Sequence, residues 1–117
     1  MLKIHHYAME VANILLVKEF YIDMLGFVED EKVEFDGEEI LFLRNGGFLL
    51  ELIKVNLEGF PPQNVHLCFE TESINNIMGK FSKAGISALE GPYTLKNGWK
   101  TVFYKGNAKE ILEFLEP

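Results

Sequence analysis

Apolar and polar residues alternate through most of the chain, and two stretches with helical spacing interrupt the alternation. Leu2 to Val11 alternates and is rich in β-branched and aromatic side chains, which predicts a strand. Asn13 then caps a helix in which Leu16, Val17, Phe20, Tyr21, Met24 and Leu25 return at 3.6-residue spacing, and Gly26 stops it. Three strand patterns follow: Phe27 to Glu34, Glu39 to Arg44 and Phe48 to Val55. Asp36-Gly37 and Asn45-Gly46-Gly47 supply the hairpin turns between them. Asn56 to Asn64, with Gly59 and Pro61-Pro62, keeps neither period and reads as a linker.

The order then repeats. Val65 to Glu70 reads as a strand, and Ser73 caps a second helix with Ile74, Ile77, Met78 and Phe81 on one face and Gly85 as its stop. Ile86 to Leu89, Lys100 to Tyr104 and Glu110 to Leu115 complete three strands, with turns at Asn97-Gly98 and Gly106-Asn107. Both halves spell βαβββ at a period of about sixty residues. Leu25-Gly26-Phe27 and Ala84-Gly85-Ile86 mark the same corner in each half. The expected fold class is α+β. Two tandem modules, about residues 1–55 and 64–117 with a linker at 56–63, form one domain over 1–117, a curved mixed sheet around a metal-binding cleft.

The cleft is expected because four ionisable residues sit where a strand should be apolar. They are His6, Glu51 within Leu50-Glu51-Leu52, His66 within Val65-His66-Leu67, and Glu113 within Leu112-Glu113-Phe114. An isolated carboxylate in such a setting costs several kcal/mol unless it is paired, protonated or bound to a metal. Each half offers one His from its first strand and one Glu from its last, in the same register. Two imidazoles and two carboxylates suit Ni²⁺, Co²⁺ or Zn²⁺, with Fe²⁺ and Mn²⁺ as further candidates. Strand parity puts His6, Ala8 and Glu10 on one face and His5, Tyr7, Met9 and Val11 on the greasier face toward the helix. That favours His6 over His5 as the inward residue. Cys68 and Glu70 share the face of His66. Trp99, Phe103, Tyr104 and Phe60 are candidates to line the cleft.

Composition narrows the partners. Apolar residues make up 48% of the 117, enough for a core, and 11 basic against 18 acidic residues leave a net charge of −7, which repels a phosphate backbone. The expectation is therefore no nucleic acid and, with no apolar run of membrane length, no membrane partner. The lone Cys68 cannot form an intrachain disulfide, which fits the reducing cytoplasm.

The chain resembles the vicinal oxygen chelate superfamily, which includes glyoxalase I, methylmalonyl-CoA epimerase, extradiol dioxygenases, and fosfomycin and bleomycin resistance proteins. The resemblance rests on the His6 strand, Glu19-Phe20-Tyr21 with Met24-Leu25-Gly26-Phe27, Leu50-Glu51-Leu52, Val65-His66-Leu67, and Gly106-Asn107 before Ile111-Leu112-Glu113-Phe114. It implies that His6, Glu51, His66 and Glu113 bind the metal, the ligand set of glyoxalase I. It also implies a metal-dependent lyase or isomerase acting on a hemithioacetal or α-hydroxycarbonyl through a metal-stabilised enediolate, with Glu51 or Glu113 shuttling the proton, and a homodimer around a small-molecule substrate. The alternatives within the family are dioxygenase, epimerase or thiol-transferase chemistry, or a non-catalytic small-molecule binding or resistance protein. Three positions depart from the pattern. Glu10 stands where glyoxalase I usually has an Arg for glutathione, Asn13 stands for the usual Asp, and the last turn reads Lys105-Gly106-Asn107-Ala108.

Overall fold

The structure is a computed structural model that describes residues 5–35, 37–55 and 66–117. The chain divides into two compact units, residues 1–59 and 60–117. The first holds β1 (Tyr7–Val11), α1 (Ile14–Leu25), β2 (Val28–Phe35), β3 (Glu38–Asn45) and β4 (Phe48–Lys54). The second holds β5 (Leu67–Glu70), α2 (Ile74–Lys83), β6 (Glu90–Thr94), β7 (Lys100–Lys105) and β8 (Ile111–Glu116). Each unit forms one four-stranded mixed sheet. The strand orders are β1-β4-β3-β2 and β5-β8-β7-β6. In both, the first strand lies parallel to the last and the remaining pairs are antiparallel.

Local chemistry sets the helix ends. The Asn13 side chain accepts from Leu16 N at 3.1 Å, and Ser73 accepts from Asn76 N at 3.2 Å, each satisfying an orphan amide of the first turn. Gly26 leaves α1 in the left-handed region at φ 74°, where a side chain would strain the backbone. The Asn45 side-chain amide donates to the Leu25 carbonyl at 3.0 Å, so the β3–β4 corner closes the end of α1. At the end of α2, Ile86 N donates to Phe81 O and Gly85 N to Ser82 O, the double bond pattern of a Schellman stop. Glu116 Oε1 accepts from Ile74 N at 2.9 Å, joining the last strand of the module to the start of its helix.

One face of each sheet packs on its helix. In the first module Met9, Val11, Leu41, Leu43, Leu50 and Leu52 are buried together with Val17, Tyr21 and Phe27. In the second, Phe81 stacks against Tyr104 with centroids 4.3 Å apart and against Phe114 at 5.5 Å, over Val102 and Leu112. The alternation along β1 matches the expected parity, with Met9 and Val11 buried and Ala8 and Glu10 exposed.

Four expectations need correction. The strand expected at Ile86 to Leu89 lies at Glu90–Thr94 instead. The chain needs 86–89 to travel from the helix stop to the sheet, where Leu89 N first donates to Phe103 O at 2.8 Å. Pro92 is accommodated because β6 is an edge strand whose pairing with β7 slips between Glu90 and Tyr93. Leu16 is not on the buried face of α1: Leu15 and Leu16 are both more than half exposed. His6 and His66 stand immediately before β1 and β5 rather than inside them. Tyr104 belongs to the core, 2% exposed against Phe81, and does not face away from the helix. Phe60, the linker and the first four residues lie outside the described residues.

Candidate functional site

The helix-free face of each sheet carries one imidazole and one carboxylate in matching places. In the first module Glu51 lies on β4, opposite Ala8 of β1 and Phe42 of β3. His6, two residues before Ala8, reaches it with Nε2 at 3.4 Å from Oε1. The other ring nitrogen, Nδ1, lies 2.9 Å from Nδ1 of His5, and the Phe42 ring packs edge-on at 5.4 Å between centroids. His6, not His5, therefore meets the carboxylate, while His5 orients it.

The second module repeats the arrangement. Glu113 lies on β8, opposite Cys68 of β5 and Phe103 of β7. His66 Nε2 stands 2.9 Å from Glu113 Oε1, and the Phe103 ring packs edge-on against His66 at 6.2 Å. Glu113 has two further neighbours. The Thr101 hydroxyl donates to Oε2 at 2.6 Å, and Cys68 stands opposite Glu113 on the neighbouring strand. Partial burial and then the Glu113 charge push that thiol up to about 11, so it remains a protonated donor at neutral pH. Thr101 is the residue that sequence reasoning misses. A threonine is ordinary in a strand, and its only signal is that it shares the parity of Phe103.

Donor chemistry allows a test of metal fit within each module. Two ligands on one ion, with bonds of about 2.1 Å, stand roughly 3.0–3.4 Å apart at octahedral to tetrahedral angles. The His6–Glu51 separation of 3.4 Å falls at the upper end of that spacing, and the His66–Glu113 separation of 2.9 Å lies just below it. Each pair is only partly covered. Neither module by itself gathers three or more His, Cys, Asp or Glu ligands among the described residues. Of the other expected cleft residues, Phe103 faces His66, while Trp99 is 42% exposed near the β6–β7 turn.

Comparison with known proteins completes the picture. The family model of the Glyoxalase/Bleomycin resistance protein/Dioxygenase superfamily matches residues 3–114. A glyoxalase family protein from Enterococcus faecalis is 25% identical, with a TM-score of 0.82 over 97% of each chain. A lactoylglutathione lyase from Agrobacterium tumefaciens is 18% identical, with a TM-score of 0.73 over 97% of this chain and 92% of that one. The fosfomycin resistance protein FosX from Listeria monocytogenes is 9% identical, with a TM-score of 0.81 over 98% and 93%. At such identities the last two share the fold and nothing finer. Another FosX structure from the same organism, a mutant, contains Mn(II) and 1S,2S-dihydroxypropylphosphonic acid. No curated protein matches the chain.

Proposed function

The chain belongs to the glyoxalase/bleomycin resistance/dioxygenase superfamily, and from that premise we infer that it is a metal-dependent lyase or isomerase of small α-hydroxycarbonyl compounds. The observation that carries the reading is the repeated His–Glu pair, 3.4 Å and 2.9 Å apart on the helix-free faces of the two modules. His6, Glu51, His66 and Glu113 would hold a divalent ion such as Ni²⁺, Co²⁺ or Zn²⁺, with two nitrogen and two oxygen donors. When bound, the ion supplies Lewis-acid stabilisation of negative charge on a substrate oxygen.

The chain's own residues do the rest. The two imidazoles would serve as ligands through Nε2, and His5 Nδ1 lies 2.9 Å from Nδ1 of His6 on the other side of that ring. A carboxylate is the group able to take a carbon-bound proton and return it to the neighbouring carbon. Phe42 and Phe103 pack edge-on against the two His rings and flank the pairs. Glu10 and Glu70 are exposed on the same faces, four residues after each His. They disfavour an anionic thiol such as glutathione. The working assembly is a twofold homodimer in a reducing cytoplasm, free of nucleic acid and membrane.

The test is metal content followed by turnover. Purified protein should retain close to one divalent ion per four-ligand site after dialysis, and His66→Ala should lose it. Metal-loaded protein should then isomerise members of a panel of neutral hemithioacetals and α-hydroxyketones. A full metal site with no turnover across the panel would overturn the activity. Oxygen uptake by the anaerobically iron-loaded protein would redirect the reading to dioxygenase chemistry.

A further inference from the structure

Glu51 and Glu113 hold equivalent places in their modules and are equally covered, with 15% and 16% of each side chain exposed. What differs is who holds them. The Thr101 hydroxyl is 2.6 Å from Glu113 Oε2, the length of a charge-assisted O–H···O bond. Cys68 stands opposite Glu113 on the neighbouring strand and carries a thiol able to donate. In the first module both holders are replaced by groups without a donor. Ile40 stands two residues before Phe42 as Thr101 stands two before Phe103, and its pairing with Ile53 mirrors that of Thr101 with Leu115. Ala8, opposite Glu51, takes the place of Cys68, opposite Glu113. Neither aliphatic side chain can donate a hydrogen bond.

We propose that Thr101, seconded by Cys68, is a positioning residue that anchors Glu113, and that Glu51, which lacks both donors, is the carboxylate free to leave the metal and move the substrate proton. This rests on the metal reading above. With Oε2 bonded to Thr101, Glu113 offers a metal only Oε1, and turning it away breaks the Thr101 hydrogen bond as well as the His66 contact. Among the described contacts, Glu51 gives up only His6 when it moves. The duplication thus supplies two similar carboxylates, and the two sequence differences around them assign one to hold and one to work.

The experiment is Co²⁺ titration of the purified full chain, read by competition with a chelator and by the visible Co²⁺ spectrum. Thr101→Val keeps the shape and loses the hydroxyl. It should bind Co²⁺ about 10-fold more weakly than wild type and change the spectrum, as expected for loss of an outer-shell partner. Thr101→Ser should restore affinity to within about 3-fold, and Glu113→Gln should cost roughly ten times more affinity than Glu51→Gln. If Thr101→Val does not fold, Cys68→Ala should still weaken Co²⁺ binding by about 3-fold, and the Glu51→Gln against Glu113→Gln comparison still decides. Equal Co²⁺ binding by wild type and His66→Ala would sink the metal reading itself. Binding that depends on His66 but is unchanged by Thr101→Val and by Cys68→Ala, or is lost equally in the two Glu variants, would overturn the anchoring role and leave the metal reading standing.

Discussion

Cys68 is a group whose chemistry its surroundings alter strongly. Partial burial and the Glu113 charge both disfavour the thiolate, so its pKa is pushed up to about 11 although the residue is exposed in its module. Alkylation by iodoacetamide should therefore be slow at pH 8 and rise through a midpoint at about 11. Glu113→Gln removes one of the two main causes and should move the midpoint down. A wild-type midpoint near the ordinary thiol value of 9.0 would contradict this. Gly106 carries a different constraint. A Cβ there would run into the carboxylate of Glu110, which is 2% exposed and accepts from Ala108 N at 3.0 Å. Gly106→Ala should cost about 2–3 kcal/mol in urea unfolding, as overpacking against a buried group does. At this scale the sequence reveals charges that interrupt apolar runs, which is why His6, Glu51, His66 and Glu113 stand out. It does not reveal Thr101, whose hydroxyl matters only through the register that sets it beside Glu113.

Elements were legible where periodicity and stop signals agreed. Both helices begin at their caps; α1 ends at Gly26 and α2 at Ala84, followed by the left-handed Gly85, because cap chemistry is local. The sixth strand was not legible. Gly91-Pro92 looks like a break, and only the position of β6 at the sheet edge makes a proline tolerable there. Periodicity marks a stripe but not its edge, which is why Leu16 falls in the stripe yet only Val17 and Tyr21 are buried on α1. Two predictions belong to the elements. Phe81→Ala empties the stack with Tyr104 and Phe114 and should lower stability by about 3–5 kcal/mol in chemical denaturation. Glu116→Ala frees Ile74 N and unties β8 from α2, with an expected loss of about 1–2 kcal/mol. A loss in Glu116→Ala as large as in Phe81→Ala would mean the tie does more than cap the helix.

For the whole molecule, the duplication was readable because each module repeats not only its elements but the partners of its key residues. Ala8 faces Glu51 as Cys68 faces Glu113, and Phe42 and Phe103 flank the two His alike. How the modules combine into a working unit has no local sequence signature, so assembly is a prediction. The protein should sediment as a dimer at micromolar concentration, and a metal-loaded monomer would overturn this. Mixing His6→Ala with Glu113→Ala chains then asks who supplies the ligands. Tight metal binding regained on mixing means that each site draws on two chains; none regained means that each chain completes its own. The strand order has one more consequence, in time rather than space. In each module the first strand pairs with the last, so β5 has no ladder until β8 exists. About forty residues separate Glu70 from Ile111, which at typical translation speed is roughly 2–8 s. Through that interval a nascent chain carries β5 unpaired, joined only near its end by β7 with an open edge, and any pause before residue 111 lengthens the window in which another unfinished chain can bind them.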